Sequence, residues 1–310
     1  SANTTAGNNT AVGWYSLVTN TTGHSNVAVG NEALRYQTTA ANNVAIGYQA
    51  AKQLTTGHRN TAIGSDALEL ISTGENNVAI GANALDANTT ANDNTAVGYT
   101  ALGANTTGTG NTGIGKDALA VNTTGNNNVA VGIDALQANT SGYYNVAVGR
   151  KTLFENTTGL YNTGIGQGAL RANTTANANT AVGYEALVAN STLGTDNTAV
   201  GYLALDANTN GAQNTGIGRD ALGANTTGVK NTAVGRGSLA NNTTASYNAA
   251  LGDYALFANT TGTKNTAVGY EALRSVTTTG DNTAFGYLAG KGITGAANIA
   301  IGPYALDAAF

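Results

Sequence analysis

The motif Asn–(Thr/Val)–(Ala/Gly)–apolar–Gly begins at Asn9, Asn26 and Asn43 and returns at each repeat up to Asn298, 18 times in 310 residues. The step is 17 residues throughout, except for 18 before Asn197 and 16 before Asn298. An added residue near Leu193 accounts for the first exception and a shortened turn around Gly295 for the second. A chain of this kind repeats one supersecondary unit, and each unit buries a core only by stacking on its neighbours. With the motif asparagine as position 1, the consensus reads N-T-A-V-G-Y-x-A-L-x-A-N-T-T-G-x-x.

Periodicity chooses a β-coil over a helical hairpin. Positions 2 to 4 form a short apolar run, mostly β-branched at its ends, closed by glycine in all 18 copies, from Gly13 to Gly302. A helix would carry that glycine in its interior in every repeat, at a cost of about 1 kcal/mol each time. The Thr-Thr-Gly stretch, with Asn and Asp nearby, is turn chemistry. The pattern predicts two short strands and two turns per coil. The fold expected is all-β: a single parallel β-solenoid (β-roll or β-helix) of about 18 coils with a 17-residue repeat. Identical positions then stack about 4.8 Å apart, giving a rod of roughly 85 Å. No linker or composition shift interrupts the repeat, so residues 1–310 read as one continuous domain.

Each row of the stack has a mechanical reading. Position 4 is always apolar (Val12, Ile46, Leu251, Phe285), and position 9 is leucine except at Ala51 and Gly290. These rows are expected to be two aliphatic core columns. Positions 3 and 8 are nearly all alanine, and strand alternation puts positions 3 and 4 on opposite faces. Something must therefore pack closely on the alanine row too, either the far side of a flattened coil or a second chain. Asparagines at positions 1 and 12 are expected to stack as amide ladders. Glycine at position 5 supplies a bend or a φ closed to other residues.

Composition excludes several classes. Charged residues make up a tenth of the chain, the net charge is −4, and cysteine is absent. There is no basic patch for nucleic acid and no polybasic surface for anionic lipid. No stretch approaches the roughly 18 apolar residues of a membrane-spanning helix. Neither nucleic-acid binding nor membrane insertion is expected. The absence of cysteine leaves the redox compartment open. A start at Ser1, inside a repeat and without methionine, reads as processing or trimming, which a cleaved secretory signal, proteolysis or a partial chain would each explain.

Catalytic constellations do not emerge. His24 and His58 occupy the same turn two coils apart, about 10 Å, and read as exposed turn residues rather than a metal pair. Gly113-Ile114-Gly115 and Gly164-Ile165-Gly166 lack the helix and lysine of a phosphate loop. Acids at position 7 (Glu32, Asp66, Asp117, Asp134, Glu185, Asp220, Glu271) are interleaved with Gln49, Thr100, Lys151 and Leu203. They read as a solvated edge rather than a catalytic pair. Tyrosines at position 6 (Tyr48, Tyr99, Tyr184, Tyr202, Tyr270, Tyr287) are expected to point outward, as plain surface or as lateral or carbohydrate contacts. Asn-x-Thr/Ser strings such as Asn20-Thr21-Thr22 belong to the repeat and act as glycosylation sites only in a eukaryotic secretory pathway. The expectation is a protein that is not an enzyme, with no cofactor, no metal and no catalytic residue.

The runs N-V-A-V-G (Asn26 to Gly30), N-V-A-I-G (Asn43 to Gly47) and N-I-A-I-G (Asn298 to Gly302) resemble the head repeats of trimeric autotransporter adhesins. Repeats of the N-T-A-V-G-Y-x-A-L type are also similar to those of phage tail fibres and other bacterial surface fibres. The resemblance covers nearly the whole chain. It implies a left-handed parallel coil, often homotrimeric, secreted or extracellular, at a cell or virion surface. Two features depart from the adhesin pattern: the repeat is longer than is typical, and there is neither a coiled-coil stalk nor an anchor segment within these residues.

The functional expectation follows from the stack's ends, since a solenoid without polar caps offers strand edges to another chain. The leading reading is a structural subunit of an extracellular filament that assembles end to end with itself. The alternative is an adhesin head or tail-fibre module that meets a cell-surface receptor or glycan, or serves as a spacer. Ice binding through threonine rows is a third. The expected subunit junction comprises Trp14, Tyr15, Ile299, Pro303, Tyr304 and Phe310. Trp14 and Pro303 share position 6 of the first and last complete coils, and Tyr15 and Tyr304 share position 7.

Overall fold

The computed structural model describes residues 5–307; residues 1–4 and 308–310 lie outside the description. Each repeat contributes one three-residue strand at positions 2 to 4, from β1 (Thr10–Val12) to β18 (Ile299–Ile301), and no helix occurs among the described residues. The chain forms two compact units, one ending at Thr158 and the other beginning at Gly159. The first holds β1 to β9 (Val146–Val148), and the second holds β10 (Thr163–Ile165) to β18. Within each unit the strands pair in parallel, in chain order and position for position. Thr10 lies beside Val27, Ala11 beside Ala28 and Val12 beside Val29. Each unit is a parallel β-solenoid with the expected repeat.

The expectation of a second strand per coil is corrected. The A-L-x-A-N segment is a run of turns, because positions 7 and 9 take positive φ (61° at Glu32, 49° at Leu34). Amides at positions 8, 10 and 12 bond carbonyls three residues back, as in Ala33 to Gly30, Arg35 to Glu32 and Gln37 to Leu34. Amides at 7, 9 and 11 reach adjacent coils instead, with Glu32 N–H donating to Trp14 O (2.8 Å) and Leu34 N–H to Ala50 O (3.1 Å). Backbone donors thus alternate between closing the coil and joining it to its neighbours. A leucine with left-handed backbone costs about 1–2 kcal/mol. Full burial of its side chain returns about 1.5–3 kcal/mol, so the conformation holds.

The position-4 row is also corrected: it faces outward. The core consists of alanines at 3 and 8 and leucines at 9, such as Ala130, Ala135 and Leu136, all fully buried. Position 3 is small because the leucine row lies against it. A methyl on Gly113 would sit 3.3 Å from Leu102 Cγ, and one on Gly216 would sit 3.3 Å from Leu205 Cδ1. The body that packs on the alanine face is therefore the leucine column of the same stack. With position 3 inward, alternation turns positions 2 and 4 to the outside.

Asparagine ladders complete the interior. At position 1, Asn43 donates its backbone N–H and its Nδ2 to Asn26 Oδ1, at 2.9 and 3.3 Å, and the pattern recurs along both units. At position 12, Asn122, Asn139 and Asn156 each donate to the preceding asparagine's Oδ1 at 2.7–3.0 Å. The carbonyl at position 15 collects both rows: Gly125 O accepts from Asn111 and Asn122. Where leucine is missing at position 9 (Ala51, Gly290), position 12 carries Leu54 or Ile293, both buried. A methyl on Gly290 would lie 2.8 Å from Ile293 Cδ1, so the aliphatic mass has moved across the coil. The ladder stops wherever position 12 is aliphatic, at Leu54, Ile71, Val276 and Ile293. Gln37 Oε1, followed by Leu54, and Asn259 Oδ1, followed by Val276, are buried acceptors with no donor.

Glycine at position 5 is required twice over. Gly132 has φ 135°, and a methyl on it would lie 2.6 Å from Gly149 O in the next coil. Changing Gly132 to alanine should therefore destabilise by about 3 kcal/mol or more, combining backbone strain with a clash between coils. Gly103→Ala is the control, since its nearest new contact is 3.2 Å and no unusual φ is involved. Thermal unfolding of the two variants should show a large drop in Tm for Gly132→Ala only. Equal melting would contradict this account of the row.

Candidate interaction surfaces

Three surfaces are built by rows of the coil. The first is the outer sheet face, where positions 2 and 4 alternate with the buried alanine. Position 2 is Thr or Val in most coils, and position 4 is Val, Ile, Leu251 or Phe285. Ile46, Ile80, Ile114, Ile165 and Ile217 are 38–41% exposed, and Leu251 and Phe285 exceed half. Neither row holds a charged residue. An uncharged aliphatic column repeated in every coil is unusual for solvent-facing sheet, and contiguous apolar patches of this kind mark interaction surfaces.

The second surface is the edge at positions 6, 7 and 10. All six position-6 tyrosines are exposed, as expected. Where tyrosines fall in successive coils they stack: Tyr184 on Tyr202 and Tyr270 on Tyr287, each at 5.4 Å between centroids and 12° between planes. Beside them are two alike ion-pair clusters. Glu32 pairs with Arg35 and with Lys52 (2.9 Å), and Glu271 pairs with Lys291 (3.0 Å) and Arg274 (3.5 Å). A hydrogen bond from Lys52 holds the Glu32 carboxyl below the usual range despite its partial burial, with Arg35 and Gln49 adding to the effect. Burial works to raise Glu271, but Lys291, Tyr270 and Arg274 outweigh it and leave that carboxyl lowered as well. Asp86 and Asp206 at position 10 behave oppositely. Burial pushes both upward, against hydrogen bonds from their own and the following backbone amides.

The third surface is the pair of end coils. A hollow of about 370 Å³ opens beside the first coil, lined by Asn9, Ala11, Tyr15, Ser16, Leu17, Val18 and Asn20. Positions 1, 3, 8, 9 and 12 among these are the ones that interior coils cover. Of the expected junction residues, Trp14 and Tyr15 contact each other (4.9 Å, 34°), and Arg35 lies over Tyr15. Trp14 is exposed, as are Ile299, Pro303 and Tyr304, and the Tyr304 ring meets the Tyr287 ring edge-on at 5.5 Å. Phe310 lies outside the described residues.

His24 is exposed, whereas His58 is half-buried and its Nδ1 accepts the Ala41 N–H at 3.0 Å. Asn92 and Asn126, which hold the same position in later coils, accept backbone amides in the same manner. His58 is thus one member of a turn-capping row. No group of three or more His, Cys, Asp or Glu placed to hold a metal occurs among the described residues. The chain matches no protein-family model and no curated protein sequence.

The two kinds of carboxyl have opposite pH signatures. Glu271, lowered in the folded chain, contributes stability above about pH 4.5 that is lost as pH falls through its folded value. Asp206, raised, favours the folded chain at low pH, and that contribution is lost as pH rises through its folded value. Glu271→Gln should lower Tm at neutral pH by about 1–3 °C, and Asp206→Asn should raise it by a similar amount. Both differences should shrink toward pH 3, as thermal scans across pH will show. A constant offset for either variant would contradict these assignments.

Proposed function

We propose that this chain is a non-catalytic structural module of an extracellular or surface-borne fibre, of the adhesin-head or tail-fibre type, and that it works by associating with copies of itself side by side. The aliphatic face of positions 2 and 4 carries this reading. A partner for that face must offer apolar side chains without charge, repeated at about 4.8 Å, and a second stack of the same coils has that period built in. Association would remove from water half-exposed valine and isoleucine side chains, each worth about 25 cal/mol per Å² buried. The interior polar groups support the same reading, since the asparagine rows are engaged in ladders. A secreted setting and contact with a receptor or glycan belong to this proposal.

End-to-end stacking is the second reading, and the hollow at the first coil favours it. Its lining repeats the positions that a further coil covers elsewhere, so what fits there is another coil of this type, from a longer chain or from a second copy. Trp14, Tyr15, Ile299, Pro303, Tyr304 and Phe310 are the junction in that case.

Sedimentation separates the two readings. Ile114→Lys with Val131→Lys places charge on the outer face only. The double variant should melt like the parent but sediment as a single chain, while the parent sediments as a defined oligomer at micromolar concentration. A parent that remains a single chain, or a variant that assembles as the parent does, would overturn side-by-side association. Growth into long fibres that Trp14→Ala with Tyr304→Ala shortens would support the end-on reading instead.

A further inference from the structure

One two-coil pattern occurs twice in the second unit. Gly183-Tyr184-Glu185-Ala186-Leu187 is followed one coil later by Gly201-Tyr202-Leu203-Ala204. Gly269-Tyr270-Glu271-Ala272-Leu273 is followed by Gly286-Tyr287-Leu288-Ala289. In both, the position-6 rings stack at 5.4 Å and 12°, and in both the glutamate that follows the first tyrosine pushes the ionisation of its phenol upward. All four rings are between 41% and 48% exposed. Tyr48 and Tyr99 occupy the same row with similar exposure, but position 6 of their neighbouring coils holds Asn31, Ser65, Ala82 and Lys116.

We propose that Tyr184–Tyr202 and Tyr270–Tyr287 are oxidative modification sites, each pair set to form an intrachain dityrosine bond between successive coils. The arrangement provides two phenols held in register and open to an oxidant, one of them followed in the chain by a glutamate. A one-electron oxidant of the peroxidase class removes an electron from each phenol. The proton of Tyr184 passes to Glu185 and on to water, that of Tyr270 to Glu271 and on to water, and those of Tyr202 and Tyr287 to water directly. The two phenoxyl radicals of a pair couple through ring carbons ortho to oxygen, forming one C–C bond. The hydrogen on each coupled carbon then shifts to its oxygen, which restores both aromatic rings. Two electrons and two protons leave in total, and one hydrogen peroxide takes them up to give two waters. The Glu185 and Glu271 carboxylates push the pKa of the Tyr184 and Tyr270 phenols above the usual tyrosine value, so loss of the electron is coupled to loss of the proton.

The location gives the bond a purpose. The coil begun at Asn179 has 18 residues and the one begun at Asn282 has 16, and these are the two that depart from the 17-residue repeat. Each is a member of one stacked pair. A covalent link there would tie each irregular coil to a regular neighbour.

The test uses the full chain, dilute, with a haem peroxidase and hydrogen peroxide, followed by peptide mapping of the cross-linked products. Linkage at the two stacked pairs should exceed linkage involving Tyr48 or Tyr99 by about tenfold or more, as held proximity outweighs chance encounter. Tyr202→Phe should abolish the first link and spare the second, Tyr287→Phe should do the reverse, and Glu185→Gln should slow only the first. Links scattered among exposed tyrosines without preference for the stacked pairs, links only between chains, or none at all would overturn the proposal.

Discussion

The contact between the leucine row and the alanine row sets the width of the coil, and much else follows from that width. With Leu102 Cγ only 3.3 Å from where a position-3 methyl would be, nothing larger than alanine fits on the inner side of the strand. The strand therefore turns its bulky residues outward, against the usual expectation for valine and isoleucine. The same narrowness excludes water, so each interior polar group needs a partner in an adjacent coil. Asparagine meets that need because its amide carries both donors and an acceptor, and one residue both receives from one neighbour and donates to the other. An orphaned acceptor costs about 1–3 kcal/mol, and Asn259 Oδ1 is one, where the ladder meets an aliphatic substitute.

A fold so specified has functional consequences. The repeat commits its polar side chains to ladders and turn caps, the Asn126 and His58 caps included. Variety is confined to the outside: the aliphatic face, the tyrosine and carboxylate edge, and the charges at position 10. Those are the surfaces on which the proposed association and the proposed oxidation rest.

Much of this was legible in the sequence. The period of 17, the asparagine ladders, the position-5 glycine and the outward tyrosines all follow from one-dimensional regularity, because equal coil lengths force identical residues into register. The second strand and the inward valine did not follow. Both errors come from reading hydrophobicity alone. The A-L-x-A-N segment looks like strand, yet Leu34 and its equivalents take a left-handed backbone that propensity disfavours and that burial makes affordable. The position-4 row looked like core because it is apolar. The better signal was its tolerance of change, from Val12 to Phe285, where position 3 admits only alanine or glycine. A packed interior does not accept a phenylalanine for a valine, whereas an open face does. The stacked tyrosine pairs were visible as letters, but the orientation of their rings was not.

The inside-out strand is tested most directly by exchanging bulk across one coil. Ala130→Val adds two methyls at a buried position 3, and Val131→Ala removes two from position 4 of the same strand. Thermal unfolding should show Ala130→Val destabilised by about 1–3 kcal/mol or more, and Val131→Ala changed by less than about 1 kcal/mol in the isolated chain. The reverse order, with Val131→Ala the damaging change, would return position 4 to the core and contradict the architecture described.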